Sequence, residues 1–322
     1  MAIELSAGLL PHRDAPRIAK LAEDLGYARV WVYDSPALYG DVWITLARAA
    51  EATQRIGLGT GVMVPHLRHV LVTASALASL EELAPGRTTL AIGTGFTARM
   101  TFGQRPLPWK DVADYVRALR GLLRGETVAY QGTQLRMMHP EETAPPRPIE
   151  VPILIGANGP KGLAVARELG DGVMSVGVPQ PGFAHSAMLQ TGTVLQEGED
   201  MSTPRVVDAL GPTAAAGYHA IYESAGAAVD DLPNGKAWRE EIERFPADVR
   251  HLHVHEGHFV RLSDLDRRHV SLDIAGGGLV GTPEQIREKA AALEAAGCTE
   301  IFYAPIGDIE AELRAMAAVL LA

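Results

Sequence analysis

Four side chains that can transfer protons or bind anions follow short apolar runs of the sequence. The runs predict β-strands at Ile3–Leu10, Arg29–Tyr33 and Ile56–Val64. His12, Asp34, His66 and Arg68 come directly after them. An imidazole can relay protons near neutral pH, and a buried carboxylate can act as acid or base. A guanidinium can hold a carboxylate-bearing group. Ordinary strand-to-helix turns, and a helix-capping or structural role for Asp34, remain the alternatives.

Glycine crowds three of the predicted strand ends. The segments are Gly61–Val62, Gly93-Thr94-Gly95 and Gly156-Ala157-Asn158-Gly159. Glycine lets a ligand approach the backbone closely, and free N–H groups before a helix favour a phosphate. Ser175 ends a further predicted strand. Together these ends predict a site for a flat, phosphate-bearing ligand, although each alone is compatible with a tight turn.

The order of the predicted elements indicates an α/β fold. Four strand–helix units occupy about the first 120 residues, with helices predicted at Ala15–Leu25, Val42–Thr53, Val70–Leu83 and Trp109–Leu123. A hairpin is predicted over Glu126–Met138, and strands at Pro152–Ile155, Gly172–Val176, Arg205–Leu210 and Glu300–Tyr303. Eight strands with interleaved helices favour a (β/α)₈ TIM barrel with insertions. A doubly wound open sheet would leave several strands unused.

Residues 177–281 are the irregular part of the chain. Gly182–Gln196, Thr213–Ala227 and Gly235–Phe245 have helical patterns, whereas Pro246–Gly281 has weak periodicity. We interpret residues 1–322 as one barrel domain and 177–281 as an insertion that caps the substrate pocket.

Composition narrows the class of protein. The chain has 322 residues, 47% of them hydrophobic, and a formal charge of −10 without a basic block. These values exclude nucleic acid as an expected partner. A single cysteine, Cys298, suits a reducing compartment. The N-terminus has no signal-peptide pattern, and no apolar run reaches the roughly 18–20 residues of a membrane span. We therefore expect a cytoplasmic protein without a membrane partner.

A histidine-rich stretch, His251-Leu-His-Val-His-Glu-Gly-His258, is the other chemical feature. If the stretch is extended, His251, His253 and His255 face one side. Three imidazoles can bind zinc, which would support a metal-dependent hydrolase. We expect no metal here, and a solvated, pocket or interface role instead.

The chain resembles the luciferase-like flavin-dependent oxidoreductases, and most of all the branch that uses the deazaflavin coenzyme F420, to which methylenetetrahydromethanopterin reductase belongs. The matching segments run through the chain outside about residues 180–280. They are Gly26–Trp31, Thr53–Val62, Pro85–Gly95, Pro152–Lys161, Gly170–Val173 and Gly281–Glu284. The resemblance implies a (β/α)₈ barrel that forms a homodimer or larger oligomer.

The resemblance also implies site residues. A cis peptide at Gly61–Val62 would support the central ring of the cofactor, with Asp34 near its polar edge. Gly93, Thr94 and Gly95 would pass beside the ring, and Gly156, Ala157, Asn158 and Gly159 would bind its phosphate. Several F420-dependent dehydrogenases have a histidine where Ser35 stands here, so their proton relay does not transfer.

These implications predict hydride transfer between F420 and a small organic substrate. The nearest alternative is an FMN-dependent monooxygenase on the same barrel, which would need a flavin reductase or bound NAD(P)H. A non-catalytic flavin-binding protein and the metal-dependent hydrolase are alternatives from other classes. Neither the substrate nor the direction of transfer follows from the sequence.

Overall fold

A computed structural model describes residues 3–275 and 277–322 of the chain. Its strands are β1 (Glu4–Leu9), β2 (Arg29–Val32), β3 (Gly57–Met63), β4 (Thr88–Gly93), β5 (Val128–Tyr130), β6 (Thr133–Leu135), β7 (Ile153–Gly156), β8 (Gly172–Val176), β9 (Ser186–Gln190), β10 (Gly192–Val194), β11 (Leu279–Gly281) and β12 (Glu300–Tyr303). Its helices are α1 (Ala15–Asp24), α2 (Val42–Ala52), α3 (Val70–Leu83), α4 (Phe96–Met100), α5 (Trp109–Leu123), α6 (Pro160–Leu169), α7 (Pro204–Ala225), α8 (Gly235–Ile242), α9 (Arg250–Val254), α10 (Asp264–His269), α11 (Pro283–Ala295) and α12 (Ile309–Leu320).

Eight parallel strands close into a barrel, which confirms the predicted fold class. Their order around the barrel is β1-β12-β9-β8-β7-β4-β3-β2. The predicted hairpin is also present as β5 and β6, joined by Gln131 and Gly132 with φ of 48° and 80°. Two consecutive positive φ values are typical of a tight two-residue hairpin turn.

The seventh barrel strand is not where the sequence pattern placed it. The prediction of a strand at Arg205–Leu210 is wrong, because these residues lie in α7, whose first residue is Pro204. The prediction of a helix at Gly182–Gln196 is also wrong, because β9 pairs there with β8 and β12. The irregular region therefore begins after β9 and not at residue 177.

Between β9 and β12 the chain forms a helical region, which we call the cap. It contains α7 to α10 and has its own apolar core around Tyr218, Val229 and Trp238. The helices predicted at Thr213–Ala227 and Gly235–Phe245 overlap α7 and α8, respectively, although both observed helices end earlier than predicted. Thr282 and Gln285 form a capping box at the start of α11. Among the described residues, no helix is both long and apolar enough to cross a membrane.

Side chains fill the barrel interior in layers. Trp31, Phe302, Met174, Leu154, Ala91 and Ala187 form the central layer. Gly59 leaves the space for the Trp31 ring, since a Cβ there would lie 2.3 Å from that ring. The barrel is therefore closed below, and a ligand can enter only from the carboxyl ends of the strands.

Candidate active site

Val62 occupies the centre of the upper barrel end, between two glycines. A Cβ at Gly93 would lie 3.0 Å from one Val62 methyl group, and a Cβ at Gly156 would lie 2.9 Å from the other. A side chain at either of these two positions would therefore push Val62 out of its place. The two glycines, which the sequence analysis assigned to the cofactor site, fix the position of an apolar platform.

The peptide bond before Val62 is cis, as predicted. The pairing of β3 with β4 also shifts register between Thr60 and Met63. The Gly61 side of the bond is close-packed, because a Cβ at Gly61 would lie 3.0 Å from both Phe302 and Trp31. The bulge thus presents Val62 upward from a tightly filled interior.

The upper surface of the barrel interior is apolar and only partly covered. Tyr33, Val62 and Leu189 pack on the central layer but keep part of their surface accessible. Val176 and Val178, at the end of β8, are 56% and 57% exposed. Apolar surface concentrated at a concave strand end is typical of a ligand site.

Asp34 lies at one side of this platform in a buried ion pair. Its Oδ2 accepts hydrogen bonds from Arg68 Nη1 at 2.7 Å and from the Val64 N–H at 3.3 Å. Burial raises the pKa of the Asp34 carboxyl, and the Arg68 guanidinium and the Val64 N–H limit that rise. Both of these bonds go to Oδ2, so Oδ1 is the oxygen that can face a ligand.

Arg68 is committed to this network. Its Nη2 donates to Asp41 at 3.0 Å, and Asp41 also caps α2 through the N–H groups of Trp43 and Ile44. Both terminal nitrogens of Arg68 are thus bonded to carboxylates. This arrangement favours a role in orienting Asp34 over the predicted role in holding a ligand carboxylate.

The loop before α6 offers part of the predicted phosphate site. The Ala157 N–H donates to the Met174 carbonyl at 2.9 Å, so it is not free for a phosphate. The Asn158 side chain bonds both the N–H and the carbonyl of Val176, which anchors the loop to β8. Gly159 is exposed, and a Cβ there would meet no atom within 4 Å. The open face of the site is therefore at Gly159 and the first turn of α6.

The segment after β4 continues the floor. Gly95 has φ of 80°, and a Cβ there would lie 2.5 Å from Val64. The Thr94 carbonyl accepts the Leu107 N–H at 2.9 Å, which ties the segment to the start of α5. Gly93 to Gly95 therefore pass directly beside the bulged strand, and their predicted position beside the cofactor ring stays a prediction.

The other predicted residues lie farther from the platform. The His66 side chain is exposed over much of its surface, and its ring lies 6.2 Å from that of Phe102. Its partial burial, together with the charge of Arg99, lowers its pKa. His12 has a side chain that is 42% exposed and accepts the Asp14 N–H before α1. Ser175 is fully buried, and its hydroxyl has no hydrogen-bond partner among the described residues. It alternates with the inward-facing Met174 and so belongs to the outer face of β8.

A cavity of about 910 Å³ lies beside the barrel mouth rather than over Val62. It runs from His66 and Arg68 along α5 to the β5–β6 hairpin at Tyr130. Its walls include the charged residues Lys110, Asp111, Asp114 and Arg117. A tail of a ligand seated on the platform would reach this cavity past His66.

Several residues at the mouth were missed by the sequence analysis. The Tyr39 ring lies 5.9 Å from that of Tyr33, tilted by 40°, and its hydroxyl donates to the His258 carbonyl at 3.2 Å. Thr97 Oγ1 lies 3.4 Å from His258 Nε2. Burial, together with His219 and His255, lowers the pKa of His258 well below its ordinary value. These contacts connect the cap to the barrel, and no local pattern could reveal them because the partners are far apart in sequence.

The histidine-rich stretch is not extended, so the predicted alignment of His251, His253 and His255 on one face is wrong. Residues Arg250–Val254 form α9, and His253 stacks on Phe245 at 3.6 Å. His255 and His258 are instead buried against His219 of α7.

Comparisons with known proteins agree with this geometry. Residues 3–300 match the family described as luciferase-like monooxygenase. The chain is 38% identical over 162 residues to the 5,10-methylenetetrahydromethanopterin reductase of Methanolobus tindarius, which covers 48% of each protein. It is 34% identical over 187 residues to the F420-dependent glucose-6-phosphate dehydrogenase of Beutenbergia cavernae, which covers 52% of this chain and 53% of that protein. The aligned part thus spans about half the length of these curated relatives.

The likeness in structure extends over the whole chain. The coenzyme F420-dependent tetrahydromethanopterin reductase of Methanopyrus kandleri superimposes with a TM-score of 0.68 at 18% identity, covering 100% of this chain and 99% of that one. At this identity the match establishes the fold. The family match over residues 3–300 confirms the resemblance predicted from the sequence motifs.

Proposed function

Since the chain belongs to the luciferase-like monooxygenase family, we propose that it is an oxidoreductase that transfers a hydride between coenzyme F420 and a small organic substrate. The curated relatives named for F420 support this cofactor, and they align with about half of the chain. The substrate class rests on the apolar barrel mouth described above.

The observation that carries the proposal is the platform of Val62 between Gly93 and Gly156. A flat tricyclic ring needs an apolar surface without side chains projecting beside it, and both neighbouring strands have glycine at the required level. The partly exposed side chains of Tyr33 and Leu189 extend this surface. The residues present therefore fit a deazaflavin or flavin ring.

Groups that would hold the rest of the cofactor lie around the platform. Gly159 and the first turn of α6 would bind a phosphate through backbone N–H groups and the helix dipole. The charged cavity past His66 would hold an extended, anionic tail if Lys110 and Arg117 exchanged their ion pairs with Asp114 and Glu168 for contacts with the tail. When bound, F420 would supply the hydride chemistry.

Asp34 is our candidate for proton transfer. Its pKa is raised by burial, and Arg68 holds the carboxyl group in one orientation. A carboxyl group with a raised pKa can donate a proton to a substrate that receives a hydride, and can accept one in the reverse direction. The cap, which contacts the mouth through Tyr39 and Thr97, would exclude water from this step.

An FMN-dependent monooxygenase is the second candidate, because the matched family is described as luciferase-like monooxygenase. It would use the same platform and would require a supply of reduced flavin from a flavin reductase.

A fluorescence titration of the cofactor-free protein with F420 and, separately, with FMN tests the proposal. We expect F420 to bind at least tenfold more tightly than FMN. Tighter FMN binding would instead favour the monooxygenase. If neither ligand binds with a Kd below about 100 µM, roughly −5.5 kcal/mol, the proposed function is wrong.

A further inference from the structure

The cap contains a cluster of three buried histidines that the proposed reaction does not use. His219 comes from α7, while His255 and His258 come from the segment after α9. All three are 3% exposed or less. One candidate ligand atom from each lies within 4.8 Å of the others. Buried imidazoles at this spacing need either hydrogen-bond partners or a shared ligand.

His219 is oriented toward the cluster by a carboxylate behind it. Its Nε2 lies 3.2 Å from Asp266 Oδ1, and Asp266 is itself fixed by Trp238 Nε1 at 2.8 Å and by Ser263 Oγ at 2.7 Å. If Nε2 carries the proton that is donated to Asp266, then Nδ1 presents a lone pair to the cluster. A carboxylate that orients a histidine in this way is typical of metal ligands.

The second histidine, His258, faces this lone pair. Its Nδ1 lies 2.9 Å from His219 Nδ1. Two imidazole ligands of one tetrahedral zinc ion are separated by roughly 3.3 Å, since each Zn–N bond is about 2.0 Å long. To bind one ion, the two nitrogens would therefore need to move apart by a further distance of about half an ångström at most. A small rotation of either ring provides this movement.

The feature that points to a ligand is His255. Its side chain is 2% exposed, yet neither ring nitrogen has a hydrogen-bond partner among the described residues. Its Nε2 lies 3.5 Å from Glu223 Oε1, so a second carboxylate stands behind this ring as Asp266 stands behind His219. A buried imidazole with two unpaired nitrogens is costly unless something coordinates it.

The backbone around His258 is arranged to bring its ring into the cluster. Gly257 has φ of 72°, and Phe259, a bulky residue, also has a positive φ of 57°. Such a conformation is rare for an aromatic residue and persists only where the surroundings require it. The turn directs His258 inward from a segment whose neighbours Glu256 and Val260 are exposed.

We propose that His219, His255 and His258 bind one divalent transition-metal ion of the zinc class. Three neutral imidazoles suit Zn²⁺ or Co²⁺, and they leave one tetrahedral position for water. The ion would link α7 to the segment after α9, and His258 contacts Tyr39 and Thr97 at the barrel mouth. The metal would thus fix the cap over the site, independently of any cofactor.

The test is a titration of the full-length protein, freed of affinity tag and treated with a chelator, with Co²⁺ and then with Zn²⁺. We expect one Co²⁺ per chain, visible d–d absorption of a tetrahedral ion, and displacement by one equivalent of Zn²⁺. Co²⁺ should also quench part of the tryptophan fluorescence, because the Trp238 ring lies 5.7 Å from that of His219. Zn²⁺ should raise the Tm by several degrees.

Two variants separate a ligand from a packing residue. His255→Leu removes an imidazole without a hydrogen-bond partner among the described residues and loses only its 3.5 Å contact with Glu223, so a purely structural role predicts little change in stability. Our proposal predicts at least a 100-fold loss of Co²⁺ affinity in this variant. His253→Gln, at a half-buried histidine outside the cluster, is the control and should bind Co²⁺ as the wild type does.

Binding of fewer than about one ion per ten wild-type chains after metal loading, without d–d absorption, would overturn the proposal. Unchanged Co²⁺ affinity in His255→Leu would overturn it as well. If that variant does not fold, the wild-type spectrum and stoichiometry decide. These readouts use protein without F420, so failure here leaves the cofactor proposal standing, and the reverse also holds.

Discussion

The two ends of the barrel differ in where their polar groups lie: at the lower end, where the strands begin, they fill the centre, and at the upper end, where the strands finish, they lie beside it. At the lower end Glu300, fully buried, accepts hydrogen bonds from Trp31 at 2.7 Å, from Ser6, and from Arg29 and His185 at 2.6 Å each. At the upper end the centre is apolar, and the charged pair of Asp34 and Arg68 stands to one side. The Glu300 carboxylate is thus saturated and the lower end is closed, whereas the upper end leaves apolar surface and one carboxylate oxygen for a ligand.

Because of this difference, we expect the lower end to contribute mainly to stability and the upper end mainly to function. Changes at the lower end should alter the free energy of unfolding and leave cofactor affinity unchanged. Changes at the upper end should alter cofactor affinity or turnover.

Glu300→Gln should destabilise the fold by about 3–5 kcal/mol, because it removes the buried charge that the partly buried Arg29 and His185 face. Urea unfolding, compared with the wild type, measures this. Cofactor affinity of the remaining folded protein should stay within threefold. A loss below about 1 kcal/mol would show that the lower end is not a stabilising network.

The same residue predicts a pH dependence of stability. Burial alone would raise the pKa of Glu300, but His185, Arg29 and Ser6 overcome it and hold the pKa at about 2, below its ordinary 4.5. The stabilisation is therefore complete above pH 4.5 and is lost as the pH falls toward 2. It amounts to about 3 kcal/mol.

Unfolding measured across that range in the wild type and in Glu300→Gln isolates this contribution. The acid-dependent loss should be smaller by about 3 kcal/mol in the variant. Parallel pH profiles for the two proteins would contradict the assignment.

Asp34→Asn should lower kcat by about 100-fold, or about 2.7 kcal/mol, if the carboxyl group transfers a proton. The affinity for F420 should change less than threefold, since the platform is untouched. Stopped-flow measurement of cofactor oxidation or reduction, once a substrate is found, gives both values. An unchanged kcat would assign Asp34 a structural role with Arg68.

Gly156→Ala should weaken F420 binding by about tenfold, or about 1.4 kcal/mol, because the new Cβ displaces Val62. Gly217→Ala is the matched control, since its Cβ would meet Ile274 at the same 2.9 Å but in the cap. Fluorescence titration of both variants provides the comparison. Equal affinities would mean that the platform does not contact the ring.

His12→Ala should have the smallest effect, with stability within about 0.5 kcal/mol and kcat/KM within twofold of the wild type. Its side chain is 42% exposed and bonds only to the start of α1. A tenfold fall in kcat/KM would restore His12 as a catalytic candidate.

The sequence predicted the barrel because most of its strands are short, β-branched and followed by clear helices. The seventh strand was missed for physical reasons. Gly211 and Pro212 indicate the end of an element, yet α7 continues through Pro212. This interruption made Arg205–Leu210 resemble a strand, although Thr203 and Pro204 form an ordinary helix start.

The sequence predicted local features of the candidate site and missed those that depend on long-range packing. The glycines at 93 and 156 lie beside the cis peptide that the resemblance implied at Gly61–Val62. The engagement of Arg68 with both Asp34 and Asp41, and the meeting of His219 with His258, depend on long-range packing. No periodicity in a single chain reports such contacts.

A crystal structure of the protein with F420 would show whether the Val62 platform holds the cofactor ring. We expect the deazaflavin ring against Val62, flanked by Gly93 and Gly156, with its tail directed past His66. A ring bound instead within the charged cavity between α5 and the β5–β6 hairpin, with Val62 uncovered, would contradict it.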